Sequence, residues 1–238
     1  MAFLKAIIFG AIGTLTETSE MQRQAFNQAF ADAGHAIVWN EATYREMVSG
    51  SQAVVGGQSR IRINAAVRGI ELDDHAVADL HAAKSRNFQE MMTRDSLPLN
   101  RGVEALIADA KGAGLSVAFA STTSRANIDA MFAAMRPAIR NQFDVILSGE
   151  DADTVKPSPA IYLAALEKLG LDASEVIAIE DSAPSMAAAL AARIATFVVP
   201  GKLWVGGTFD GASAVLPDLE GVTVERLGAL LGREPIAA

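Results

Sequence analysis

The chain of 238 residues contains no cysteine. Disulfide frameworks, thiolate zinc sites and cysteine nucleophiles are therefore excluded. Aromatic residues are scarce, at 6% of the chain, which is too few to expect a surface on which nucleic-acid bases stack. Basic residues are outnumbered, with 20 Lys and Arg against 28 Asp and Glu and a net charge of −8, so no nucleic-acid partner is expected. Long apolar runs are missing as well. The first, from Phe3 to Phe9, is interrupted by Lys5 and ended by Gly10, far short of the roughly 20 residues of a membrane span. No signal-peptide pattern is present, and the expectation is a cytoplasmic protein with no membrane partner. His35, His75 and His81 are scattered without metal-ligand spacing and read as surface or packing residues. A P-loop is absent, and the span from Gly10 to Gly13 is too short for a dinucleotide fingerprint.

What is present is a regular alternation. Short apolar runs lie at 6–9, 115–120, 145–147, 176–179 and 194–199. Runs of that length and uniformity mark strands covered on both faces of a parallel sheet. Ala- and Leu-rich segments at 102–113, 124–134, 159–169 and 184–192 read as the helices between them. The result is an α/β chain with a doubly wound parallel sheet. The stretch from about 16 to 95 breaks the rhythm. It has no buried-strand run and reads as amphipathic helices at 21–33, 41–48, 58–68 and 75–93, punctuated by Gly34, Gly50 and the Gly56-Gly57 pair. Residues 1–16 and 96–238 are thus expected to form an α/β core domain, with 17–95 as a helical insertion. A final helix is expected at 222–231.

In open α/β sheets, ligands bind beyond the carboxyl ends of the strands. There the sequence supplies a glycine turn from Gly10 to Leu15, a hydroxyl cluster from Ser121 to Ser124, the cation of Lys156-Pro157, and the acids of Glu180-Asp181-Ser182. Hydroxyls and an ammonium suit a phosphate. A carboxylate pair suits Mg²⁺, which takes oxygen ligands and shares them with phosphate. Each piece alone has an ordinary reading: Ser124 as a helix N-cap, Lys156 as a solvated loop residue, the acids as a cap for the next helix.

The order of these pieces resembles the haloacid dehalogenase superfamily, in its β-phosphoglucomutase and phosphoglycolate phosphatase branch. The motifs here read Phe9-Gly10-Ala11-Ile12-Gly13-Thr14-Leu15, then Ser121, then Lys156-Pro157, then Glu180-Asp181-Ser182. The resemblance covers nearly the whole chain. It implies a Rossmannoid core with an inserted α-helical cap and a hydrolase acting on a small phosphorylated metabolite. Two stretches of the insertion, Arg23-Gln24-Ala25-Phe26-Asn27 and Gly56-Gly57-Gln58-Ser59-Arg60-Ile61, are similar to sugar-bisphosphate phosphatases such as the xylulose-1,5-bisphosphate phosphatases. By the resemblance, Ser121 and Lys156 are catalytic. Gly13, Thr14, Glu17, Arg23, Arg60 and Thr122 face substrate, and Asp181 with Glu180 holds Mg²⁺. A monomer is expected.

The departures are as informative as the matches. The family's first motif is Asp-x-Asp-Gly-Thr-Leu, and its two aspartates fall on Gly10 and Ile12. Glycine offers no nucleophile to attack phosphorus, and isoleucine no proton for the leaving oxygen. Mg²⁺, deprived of one carboxylate, is expected to bind weakly or not at all. Two smaller departures are Ser185 and Arg193, where the family often has glycine. Three functions follow as alternatives: a scaffold with impaired or absent aspartyl-phosphate chemistry, an Mg²⁺-dependent phosphatase with a rebuilt site, and a non-catalytic binder of a phosphorylated metabolite.

Overall fold

A computed structural model describes residues 4–10, 12–51 and 53–232. In chain order these residues form β1 (Ala6–Gly10), α1 (Ile12–Leu15), α2 (Ser19–Asp32), α3 (Glu41–Ser49), α4 (Gly57–Val67), α5 (Asp74–Arg94), α6 (Val103–Gly112), β2 (Ser116–Ala120), α7 (Arg125–Ala134), α8 (Pro137–Arg140), β3 (Val145–Leu147), α9 (Ala160–Leu169), β4 (Val176–Glu180), α10 (Ala183–Ala191), β5 (Ala195–Val198), β6 (Ala214–Val215) and α11 (Val224–Leu230). They divide into two compact units, one of Met1–Glu17 with Leu97–Ala238, the other of Thr18–Ser96.

The first unit is built on a sheet of strand order β3-β2-β1-β4-β5-β6, every pairing parallel. The strands were legible as apolar runs because both faces are covered. Side chains alternate between the faces, so Ala6, Ile8, Ala118, Ala120, Val176 and Ala178 share a core with Ile161, Tyr162 and Ala165 of α9 and Ala188 and Ala189 of α10. Phe9 and Phe119 point the other way, onto Phe143 at ring-centroid separations of 6.2 Å each, with Phe132 of α7 5.8 Å from Phe119. The small residues on the first face let two helices approach closely, and the rings on the second fill a wider gap. Burying such a ring contributes about 1.5–3 kcal/mol.

Three elements were not anticipated from the sequence: α1 stands where a glycine turn was expected, and the other two are very short. β6 has two residues, one of them exposed, too short to show a period, and α8 is a single turn opened by Pro137. Ser124 is the N-cap of α7, accepting from the Asn127 N–H at 3.3 Å, so its ordinary reading holds.

The second unit is entirely helical. α2 packs along α5, and their apolar stripes enclose Trp39 from the α2–α3 connection, with Phe26 and Phe30 at 4.6 and 4.9 Å. Gly57 starts α4 against α5, where a Cβ would come within 2.6 Å of the His81 ring. A side chain there would force the two helices apart.

Among the described residues, Arg193 is the one non-glycine residue with positive φ, at 62°. It ends α10 in a Schellman-type turn, with its N–H on the Leu190 carbonyl and that of Ile194 on Ala189. The position favours glycine because a Cβ is strained there. Arg193→Gly is expected to raise stability by about 0.5–1 kcal/mol, since relief of strain exceeds the entropy glycine adds to the unfolded chain. An unchanged or lower urea midpoint would contradict this.

Candidate functional site

β1, β2 and β4 are neighbours in the sheet, so their carboxyl ends bring together Gly10, Ser121 and the Glu180-Asp181 pair, and the loop after β3 adds Lys156. Lys156 is not the solvated loop residue its sequence context allows. It is 6% exposed. Its ammonium donates to Glu180 Oε1 at 2.7 Å, to the Tyr162 hydroxyl at 3.1 Å and to the Ala120 carbonyl at 3.2 Å, and lies 4.8 Å from the Tyr162 ring centre. An ammonium has three N–H donors, and these three acceptors engage all of them.

Glu180, at the end of β4, is 0% exposed. Burial pushes its carboxyl up to about 7, with the neighbouring Asp181 charge adding to the rise and Lys156 opposing it. Oε1 is bound by Lys156, while Oε2 is enclosed without a hydrogen-bond partner. The carboxyl group lies directly over Gly10. A Cβ on residue 10 would come closer to Oε1, Oε2 and the carboxyl carbon than the 3.0 Å that real Cβ atoms keep. Asp181 stands in the same relation to Gly13, where a Cβ would overlap its Oδ2. Desolvation also raises the Asp181 carboxyl above its ordinary value, and its Oδ1 is enclosed without a partner. The two glycines therefore clear the room in which two carboxylates sit.

The remaining predicted residues of this unit are placed as follows. The hydroxyl of buried Ser121 accepts from the Thr123 N–H at 3.3 Å, and Thr122 beside it is half-buried. Ile12 is buried. The glycine turn expected at Gly10–Leu15 includes residue 11, which lies outside the described residues. Gly13, Thr14 and Glu17 line a cavity of about 200 Å³ together with Asn100, Gly201 and Lys202. The Thr14 hydroxyl is buried without a partner, and Glu17 accepts from the Lys202 N–H at 2.9 Å. Asn100, which the sequence reading missed, donates through Nδ2 to the carbonyls of Gly13 at 2.7 Å and Thr14 at 3.1 Å, fixing α1 below the site. Tyr162 was missed too, although its place six residues after Lys156 was visible.

Mg²⁺ demands near-octahedral oxygen coordination. The donor set here does not fit it. Glu180 Oε2 and Asp181 Oδ1 are enclosed and unpartnered, but the other Glu180 oxygen is bound to an ammonium and residue 10 brings no oxygen-bearing side chain. No cluster of three or more His, Asp or Glu occurs among the described residues.

The helical unit holds a second concentration of charge. Arg23 was expected to face substrate or to pair with the core. It pairs with Glu20 of its own helix, Nε to Oε2 at 2.9 Å, and donates through Nη1 to the Trp39 carbonyl at 2.6 Å. Asn27 brackets the same residue, accepting from the Trp39 N–H at 2.8 Å and donating to its carbonyl at 3.0 Å. Arg60 reaches the Met47 carbonyl at 3.4 Å and is held below its ordinary range by burial. Lys84 went unnoticed in the sequence. It is 6% exposed, donates to Gln22, and stands over the rings of Phe88 and Phe26 at 4.7 and 5.0 Å. Burial, with the Arg60 charge second, lowers its pKa to about 7. Among the described residues neither Arg60 nor Lys84 forms an ion pair, and burial and Lys84 lower the pKa of His81 as well. The signal for Lys84 was present: it interrupts the buried stripe Val77, Leu80, Phe88, Met92 of α5.

The haloacid dehalogenase-like hydrolase family model matches residues 4–193, and the chain belongs to that family. Phosphatases of the family generally use Mg²⁺. Within it, the chain is similar to Protein CbbY of Rhodobacter capsulatus, 38% identical over 229 residues covering 95% of this chain and 99% of that protein. The crystal structure of CbbY from Rhodobacter sphaeroides in complex with phosphate is 36% identical with a TM-score of 0.85, covering 94% of this chain and 99% of that one. An Asp-to-Asn variant of the same protein in complex with xylulose-(1,5)-bisphosphate is 35% identical with a TM-score of 0.84 over the same shares. No helix among the described residues is long and apolar enough to cross a membrane.

The buried Lys84 yields a prediction with a sign. Its pKa is lowered from 10.5 in the unfolded chain to about 7 in the fold, so between those values the unfolded state binds more protons and stability rises with pH. Below pH 7 the cost of burying the charged form is present in full. Lys84→Met removes it, so the variant is expected to be more stable than wild type at pH 7 and the difference to shrink toward pH 10. Urea midpoints at both values test this, and a difference independent of pH would contradict it.

Proposed function

We propose that this chain binds a small sugar phosphate without aspartyl-phosphate turnover. The scaffold is similar to that of CbbY, a variant of which was crystallised in complex with xylulose-(1,5)-bisphosphate. The observation that carries the loss of turnover is the volume above Gly10. No side chain stands there to attack phosphorus, and the carboxyl group of Glu180 fills the space. Glu180 is itself fully enclosed and bound to Lys156, so it is not presented as a nucleophile. The buried Ile12 provides no proton for a leaving oxygen. No step through Mg²⁺ is derived, because the donor set does not fit one.

In this reading Thr18–Ser96 serves as the cap of the Met1–Glu17 and Leu97–Ala238 core. Ser121 and Lys156 form the seat for one phosphate. Within Thr18–Ser96, Arg60 and Lys84 form a separate place for an anionic group. Their lack of ion pairs supports this role, since two buried cations without an anion are costly and an anion would relieve both. Arg23, committed to Glu20 and Trp39, is left out of ligand recognition and holds the Trp39 loop.

The test is the purified full chain against a panel of sugar monophosphates and bisphosphates, xylulose-1,5-bisphosphate included, scored for phosphate release and for thermal stabilisation. The expected result is stabilisation, about 2.7 kcal/mol at a hundredfold excess over Kd, with release lower than that of CbbY by a factor of about 10³ or more. Turnover at the rate of CbbY, abolished by Asp181→Ala, would overturn the proposal.

A further inference from the structure

Resting on the binding reading, the position of Glu180 extends it. We infer that Glu180 is an internal occupant of the phosphate seat, lodged on Lys156 because residue 10 has no side chain, and that a phosphate must displace it to bind. Three observations carry this. The Lys156 ammonium has all three donors engaged, by Glu180, Tyr162 and the Ala120 carbonyl, so an incoming anion finds none free. Of those acceptors Glu180 is the only charged one, and it is the one an anion would replace in kind. Finally, the carboxyl occupies the space that the first side-chain carbon of residue 10 would need. Any residue but glycine would expel it.

Gly10 thereby acquires a role separate from the missing nucleophile. It admits a carboxylate from β4 to the end of β1. β1 and β4 run parallel with Phe9 opposite Ile179, so the next residue on each strand is Gly10 and Glu180. The seat is closed by the chain's own carboxylate, and ligand affinity is set by the difference between a phosphate and this carboxylate on one ammonium. Hydrogen bonds to a charged donor are about twice as strong as neutral ones, so removing the competitor should be felt at least tenfold in affinity.

The probe is inorganic phosphate, titrated calorimetrically into the full chain in metal-free buffer. Gly10→Ala introduces no chemistry but evicts the carboxyl. Glu180→Gln removes the charge while keeping the shape. Each is expected to bind phosphate roughly tenfold or more tightly than wild type. The double variant should gain no more than the better single one, because both lift the same obstacle. Lys156→Met in either background should abolish the gain. Wild type binding as tightly as both variants, a gain that survives Lys156→Met, or no phosphate binding by any of them would overturn the inference. Should Gly10→Ala fail to fold, Glu180→Gln with its Lys156→Met control decides the matter alone. Turnover of a sugar phosphate by the wild type would refute the binding reading but leave the ratio of phosphate affinities untouched, so the two fail separately.

Discussion

The carboxyl edge of the sheet is organised around one buried ion pair. Lys156 is enclosed by protein, and a buried ammonium without an opposite charge is penalised by several kcal/mol. Glu180 is the charge that lets it remain, at 2.7 Å. The pair is then supported on every side. Tyr162 supplies a hydroxyl and a ring face from α9, and the carbonyl that precedes Ser121 comes from β2. Two strands and one helix therefore converge on a single nitrogen, and the parallel register of β1 against β4 decides which residue of β1 must give way to the carboxylate.

The helical unit shows what happens to a buried lysine with no such partner. Lys84 is as enclosed as Lys156, yet it has an amide oxygen and two aromatic faces instead of a carboxylate. Ring faces attract a cation weakly, by about 0.5–2 kcal/mol, and this does not offset the desolvation that brings Lys84 to about 7. The Arg60 charge adds repulsion. The two lysines thus represent opposite states of one chemistry: a cation matched from within, and a cation left for something else to match.

The architecture was largely legible because it rests on period and composition. Five strands were readable as apolar runs, since a parallel sheet covered on both faces needs little else, and the helical insertion was readable from the absence of such runs. β6 was not, because two residues have no period. The site was legible as an inventory and not as an arrangement. The order of Gly10, Ser121, Lys156 and Asp181 pointed to phosphate chemistry through a family resemblance. That Glu180 turns onto Gly10, however, depends on strand register and a rotamer, which spacing does not encode. What Arg23 and Asn27 hold within the unit was not legible for a related reason: both bind the Trp39 backbone, 12 to 16 residues away in a connection without a pattern.

The bare backbone at residue 10 and the position of the Glu180 carboxyl are a single steric fact. A side chain at residue 10 and the present position of the Glu180 carboxyl exclude each other, so residue 10 cannot gain a side chain while the carboxyl stays. An aspartate at residue 10 would have to evict Glu180 from Lys156 before its own carboxylate met the ammonium, and the evicted group would then need a new partner for two oxygens in place of the one already unpartnered. Overpacking of a filled interior ordinarily costs about 1–3 kcal/mol, and an unpaired buried carboxylate costs more. An aspartate at residue 10 therefore requires Glu180 to move in the same step, because the space its first side-chain carbon needs is already held by the Glu180 carboxyl.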